Sequence, residues 1–364
     1  MKIKEILNRL EETFSLSLQE NYDNSGLIIG NANNEISKAL ICFDCTEEII
    51  EEAINKDCNL IISHHPLIFD GLKKINGNTH IERSIIKAIK NDISLYAIHT
   101  NIDNHIEGLN NILAKKLGLI NCLILRQMNG ILRKIVVFCP IEQAEKVRNA
   151  ILNAGAGHIG NYNSCSYNII GEGTFKPIEN ANPFVGEIGK LHFEKEIRIE
   201  TIFPIYKQKE VLEALFKNHP YEEVAYDIYP IDNEYKFAGA GMIGELPQEI
   251  DAEVYLHKIK EITKVGGLRY SKIKKQKIKK VAICGGSGSF LIKDAIDAKA
   301  DMLITSDIKY HSFLDIPEEL IIVDAGHYET EQFIKELLYD ILKKNFPKFA
   351  FLISEINSNP VNYL

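Results

Sequence analysis

The chain has 364 residues, 45% of them hydrophobic and 25% charged, with a net charge of −8. That length exceeds one ordinary core, so two or three domains are expected in a globular, water-soluble composition. The acidic balance argues against nucleic acid as a partner, no stretch reaches transmembrane length, and seven scattered cysteines do not make a disulfide framework.

The first predicted element, MKIKEILNRLEE, is an amphipathic helix and lacks the character of a signal peptide, so a cytoplasmic location is expected. Asp23-Asn24-Ser25-Gly26 reads as a turn that requires no chemistry. Residues 38–65 read as a buried strand, a turn, a helix with apolar period near 3.6 and a second buried strand, which is a βαβ unit. Cys42-x-x-Cys45 has no second pair to complete a zinc site, and buried thiols are expected. The unit ends in Ser63-His64-His65-Pro66. Pro66 turns the chain, so both imidazoles can enter one cleft and bind neighbouring metals; two satisfied turn histidines are the other reading. The next strand, ISLYAIHTNID, ends in His99-x-x-x-Asp103. Asp103 is either a carboxylate ligand or the N-cap of a helix that begins near Ile106.

From about residue 126 to 232 the pattern changes to strand–helix–strand twice over, the order of a ferredoxin-like sandwich. This segment is expected to be an inserted domain, with a long loop at Asn180 to Gly189. Its His219-Pro220-Tyr221-Glu222-Glu223 reads as a helix-ending turn or as a site for a metal or small ligand.

Within residues 279–307 the chain then repeats 38–65 without gaps at a constant offset of 242, starting at Lys280. Ile41, Cys42, Ile50, Ala53, Ile54 and Ile62 match Ile283, Cys284, Ile292, Ala295, Ile296 and Ile304. The lysine-rich run Lys272 to Lys280 just before this repeat reads as a solvated edge rather than a polyanion site. Cys284-Gly285-Gly286-Ser287-Gly288-Ser289 lacks the Gly-Lys-Ser/Thr ending of a P-loop and reads as a tight turn or an anion cradle. The following strand, ELIIVDAGHYETE, ends in His327-x-x-x-Glu331, a spacing that sets both side chains on one face of a helical turn.

The expected fold is therefore α/β: duplicated lobes over 1–125 and 233–364 with a pseudo-twofold cleft, interrupted by a ferredoxin-like domain over 126–232. Strand-end histidines and carboxylates from both lobes converge there, because ligands bind at the carboxyl ends of parallel strands. His64, His65, Asp103, His327 and Glu331 can hold two divalent ions if one carboxylate bridges. Nitrogen with carboxylate donors suits zinc, iron, manganese, cobalt or nickel. Such a pair can activate water and polarise a phosphate or carbonyl oxygen. His99, Asp307 and His311, with Tyr310, are candidates for orienting the ligands or for general acid–base work.

The segments NYDNSGL, LIISHHPLIF, AIHTNID, HPYEEVAYDIY, GAGMIGEL, VAICGGSGSF, SDIKYH and DAGHYETE, in that order along the chain, resemble the Ngg-interacting factor three-like family. Its bacterial members are often labelled GTP cyclohydrolase 1 type 2 homologs. The resemblance implies two related lobes around a dinuclear site ligated by His64, His65, Asp103, His327 and Glu331. It implies that Glu331 bridges, with His65 and Asp103 on one ion and His64 and His327 on the other. It also implies a PII-like or CutA-like insert and a homohexamer, a ring of two trimers. Ser306-Asp307 stands where the family usually has Gly-Asp. The function expected is that of a metal-dependent hydrolase acting on a nucleotide-like or phosphorylated small molecule, with a non-catalytic metal-handling or regulatory scaffold protein as the alternative.

Overall fold

In the computed structural model, which describes residues 1–364, the first helix α1 (Ile3–Thr13) spaces Ile3, Ile6, Leu7 and Leu10 along one buried face. The chain continues through β1 (Gly26–Ile29), β2 (Ala39–Cys42), α2 (Glu47–Asn55), β3 (Leu60–Ser63), α3 (His80–Lys90) and β4 (Ser94–Ala97). Thr46 and Thr79 cap α2 and α3, their side chains accepting from Ile49 N and Glu82 N. A single turn, α4 (Thr100–Asp103), precedes α5 (Leu109–Leu117) and β5 (Ile120–Met128). Gly108 is the N-cap of α5, and Asp103 closes α4 instead of capping the next helix.

Residues Met128–Lys236 form a compact unit of their own. It contains β6 (Leu132–Pro140), α6 (Ala144–Asn153), β7 (Tyr167–Phe175), β8 (His192–Pro204), α7 (Gln208–Asn218) and β9 (Tyr226–Pro230). The sheet runs β7-β8-β6-β9, with every neighbouring pair antiparallel. Both helices lie on one face, where Val147, Ile151, Val211 and Leu215 pack on Ile135, Val137, Cys139 and Ile199. Each such fully buried side chain contributes ~1.5–3 kcal/mol of transfer free energy. His219 ends α7: its Nε2 donates to Phe138 O at 2.9 Å and its Nδ1 accepts from Tyr221 N at 3.2 Å. The His-Pro-Tyr segment is thus a turn with both ring nitrogens used.

Met1–Gln127 and Phe237–Leu364 together form the other unit. Its second part comprises β10 (Tyr235–Asp251), α8 (Ala252–Thr263), β11 (Arg269–Tyr270), β12 (Lys277–Ser287), α9 (Ile292–Asp297), β13 (Met302–Ser306), β14 (Ile321–Asp324), α10 (His327–Glu331), α11 (Ile334–Asn345) and β15 (Phe351–Ile353). One sheet has the order β1-β4-β3-β2-β15 and the other β11-β14-β13-β12-β10-β5. Within them β15, β2, β3 and β4 are parallel, as are β12, β13 and β14. Antiparallel β1 flanks β4, antiparallel β11 flanks β14, and β10 runs antiparallel to β12.

Strands β2, β3 and β4 are buried on both sides, as parallel strands usually are. Alternation divides them: Ile41, Leu60, Ile62 and Tyr96 pack with α1 and α11, whereas Leu40, Cys42, Ile61 and Leu95 pack with α2 and α3. The lysine run is tied down at its edge, Lys274 pairing with Glu318 and Lys275 with Asp301. All seven cysteines are free thiols. Burial pushes Cys45 up to about 12 and Cys42 well above the ordinary thiol value, so both stay protonated. No helix is long and apolar enough to cross a membrane.

Candidate metal centre

The functional side chains stand just beyond the carboxyl ends of the parallel strands, where an α/β sheet leaves its crevice. His64 and His65 follow β3, His99 follows β4 and leads into α4 with Asp103, Asp307 follows β13, and α10 after β14 carries His327 and Glu331. The turn after β3 is fixed by Ser63 Oγ, which donates to His65 O at 2.8 Å. Both rings are thereby directed inward, with His64 stacked on Phe43 at 5.7 Å and His65 edge-on to it at 4.7 Å.

Each imidazole is held by its Nδ1. His64 Nδ1 lies 2.9 Å from Ile98 O, His65 Nδ1 2.7 Å from Asp44 Oδ1, His327 Nδ1 2.7 Å from Asp307 Oδ2 and His99 Nδ1 2.7 Å from Asp23 Oδ1. Carbonyl and carboxylate oxygens only accept, so Nδ1 carries the hydrogen in all four rings and the neutral ring presents a bare Nε2 lone pair. These rings cluster, with centroids of His64, His65 and His99 between 4.9 and 5.3 Å apart and His65 to His327 at 5.4 Å.

The Nε2 atoms converge on carboxylates. Glu331 Oε2 lies 3.0 Å from Nε2 of His327, 3.3 Å from that of His65 and 3.7 Å from that of His64. Asp103 Oδ1 is 3.7 Å from His64 Nε2. His64 Nε2, Asp103 Oδ1 and Glu331 Oε2 are buried and have no hydrogen-bond partner. An unsatisfied buried polar atom costs ~1–3 kcal/mol, more when charged, and facing lone pairs repel. A cation among them removes that cost, so these donors fit a metal. Three sets of ligand atoms lie within 4.8 Å of one another: His65, His327 and Glu331; His64, Asp103 and Glu331; and His64, His65 and His99. Glu331 is common to the first two sets. By distance, His64 sits beside Asp103 and His65 beside His327, a different grouping from the one the family resemblance implies.

The electrostatics follow from burial and these contacts. Burial opposes charge on His65, but Asp44 and Glu331 outweigh it and push its pKa up to about 10. Burial likewise opposes charge on His327, and Glu331 and Asp307 raise it to about 9. Enclosed His64 is driven down to about 4 by burial. Glu331 is buried too, yet His327, His64 and His65 hold it well below the usual carboxylate range. Asp103 is pushed well above that range by burial and then by the Glu331 charge. Positive charge is thus favoured where His65, His327 and Glu331 meet.

The glycine loop has a packing role. Gly286 adopts φ +62°, and a Cβ there would stand 2.1 Å from Glu331 Oε1, so only glycine lets the carboxylate approach. The Gly285 N–H donates to Asn110 Oδ1 at 2.9 Å and the Gly286 N–H to Thr330 Oγ1 at 3.0 Å, which leaves neither amide for an anion. Of the acid–base candidates, His99 reaches the cleft and Asp307 orients His327. His311 is exposed against Tyr310 and lines neither cavity described here. Asp23 and Asp44, which orient His99 and His65, were not recognised from sequence. Asp44 stands at a strand end like the candidate ligands, a position that could have marked it, whereas Asp23 sits in a turn with no such signal. Two cavities open on the centre: one of about 370 Å³ lined by Tyr22, His99, Asp103, Cys284 and Glu331, and one of about 730 Å³ lined by Phe43, Asp44, Arg269, Tyr328 and Tyr363. His65 and His327 line both.

A family model described as Duf34/NIF3 (NGG1p interacting factor 3) matches residues 1–360. A "GTP cyclohydrolase 1 type 2 homolog" of Halalkalibacterium halodurans is 38% identical over 99% of this chain and 98% of its own length. A Bacillus subtilis protein of the same name is 40% identical over 94% of this chain and 93% of its own. Among solved structures, a Bacillus cereus protein related to NIF3 superposes with a TM-score of 0.86 at 38% identity, covering 100% of this chain and 99% of that one.

Proposed function

Because the chain belongs to the Duf34/NIF3 (NGG1p interacting factor 3) family, we propose that it binds two divalent metal ions and is a metal-dependent hydrolase of a nucleotide-like or phosphorylated small molecule. The observation that carries this reading is the set of buried, partnerless atoms His64 Nε2, Asp103 Oδ1 and Glu331 Oε2, facing further imidazoles whose other nitrogen is already committed. His65 and His327 hold one ion, His64 and Asp103 the other, and Glu331 serves both. Imidazole and carboxylate together suit zinc, iron, manganese, cobalt or nickel. Such ions supply Lewis-acid polarisation and water activation near neutral pH. His99, its ring fixed by Asp23, presents Nε2 to the smaller cavity and is the residue suited to move a proton there. The name carried by the relatives makes GTP the first substrate to try.

The same reading takes the unit over Met128–Lys236 as a ferredoxin-like, PII/CutA-like insert, supported by its strand order, and the two sheets of the other unit as duplicated lobes. It takes the assembly as a homohexamer, a ring of two trimers. The test is turnover: metal-loaded protein is assayed against GTP, other nucleotides and phosphoesters, beside His65→Ala. Hydrolysis that disappears in His65→Ala is expected. Metal uptake without turnover across the panel contradicts the hydrolase and favours a metal-handling protein.

A further inference from the structure

Residues 354–364 leave β15 and pass along the larger cavity. Glu52 holds their start, its carboxylate accepting from Ser354 Oγ and, at 3.0 Å, from Glu355 N. Further on, Asn359 Nδ2 donates to Glu329 Oε1 at 3.0 Å. Near the end, Tyr363 covers Gly266, where a Cβ would stand 2.3 Å from its ring. The segment therefore runs from the first sheet to elements of the second, and Ser358, Asn359 and Tyr363 form a wall of the 730 Å³ cavity.

Its central contact reaches the metal centre. Ser358 Oγ donates to Asp44 Oδ2 at 3.0 Å, while Asp44 Oδ1 accepts from His65 Nδ1 at 2.7 Å. One carboxylate thus holds a candidate ligand with one oxygen and the C-terminal segment with the other. The Asp44 side chain is 31% exposed, so without Ser358 it has room to turn towards solvent. A carboxylate on the far nitrogen fixes the orientation and basicity of a ligating imidazole.

We propose that Asp44 and Ser358 are positioning residues for the His65 side of the metal centre, which makes the C-terminal segment part of that centre. This rests on the metal-binding reading above. Zinc is titrated into the intact chain in competition with a chromophoric chelator, and two affinities are resolved. Asp44→Ala weakens one ion about 10- to 100-fold. Ser358→Ala weakens the same ion about threefold to tenfold and leaves the other unchanged, and Ser358→Thr, which keeps the hydroxyl, restores it. In the Asp44→Ala background, Ser358→Ala adds nothing, because its effect runs through Asp44.

Three results overturn the proposal: Ser358→Ala binds both ions as the intact chain does, it weakens both equally, or it adds its full loss to Asp44→Ala. An intact chain that takes up no zinc removes the metal reading itself, which distinguishes that failure from failure of the positioning role.

Discussion

His219 and His64 are both buried, one in each unit, and their hydrogen bonds separate them. His219 uses both ring nitrogens, donating to Phe138 O and accepting from Tyr221 N. His64 uses only Nδ1, and its Nε2 is left facing Glu331 and Asp103. The carboxylates differ in the same way. Glu196 in the Met128–Lys236 unit accepts from Tyr221 Oη at 2.9 Å, whereas Glu331 Oε2 makes no well-formed hydrogen bond and faces the Nε2 atoms of His327, His65 and His64. Neither burial nor a single unpartnered atom, such as Ser84 Oγ, marks a candidate site; several uncommitted lone pairs facing one another do.

The largest expected effect breaks that contrast at its centre. Glu331→Gln removes the shared carboxylate, and uptake of both ions falls more than about 100-fold, beyond the range set by outer partners. Glu196→Gln, in the unit that has no unpartnered buried side-chain atom, leaves metal content unchanged. Elemental analysis of the two purified variants checks both.

Acid sharpens the contrast next. His65 and His327 have pKa values raised to about 10 and 9, so below those values each holds a proton that an incoming ion must displace. Their protonated forms stabilise the metal-free fold at and below the ordinary histidine pKa, and that stabilisation is lost as pH rises through 9 to 10. Zinc affinity accordingly rises with pH across the neutral range, by up to about tenfold per unit for each proton displaced, and chelator competition at several pH values measures it. His219, whose pKa is lowered by burial, contributes nothing to that slope.

Much of the centre was legible because parallel strands announce themselves as short, continuous apolar runs. ALIC and LIIS are β2 and β3, MLITS is β13, and the polar residues after such runs fall at the crevice. What escaped depended on closure in space. Asp23 lies 76 residues from His99 in sequence, and Ser358 lies 314 from Asp44, with no local pattern to join them. Asp103 has the chemistry of a helix cap as well as of a ligand, and only the position of Gly108 at the start of α5 removes the capping role. Strand β15, three residues long, is too short to show periodicity, yet it completes the first sheet and delivers the C-terminal segment to Asp44. The grouping of candidate ligands into two sets depends on distances of a few ångströms, which spacing along the chain does not encode.

A smaller effect separates packing from ligation. Gly286→Ala places a methyl group against Glu331 Oε1 on a backbone at positive φ. It costs ~1–2 kcal/mol in stability through the backbone alone and weakens metal uptake through displaced Glu331. His219→Ala leaves Phe138 O and the Tyr221 N–H without their partner, destabilises by ~1–3 kcal/mol in a denaturant titration, and does not alter metal uptake.

The most direct test is the metal content of the intact chain after zinc reconstitution and removal of excess, with anomalous scattering to place the ions. The account predicts two ions per chain, one between His65 and His327 and one between His64 and Asp103, both touching Glu331. A chain that retains no ion, or holds its ions away from Glu331, contradicts it.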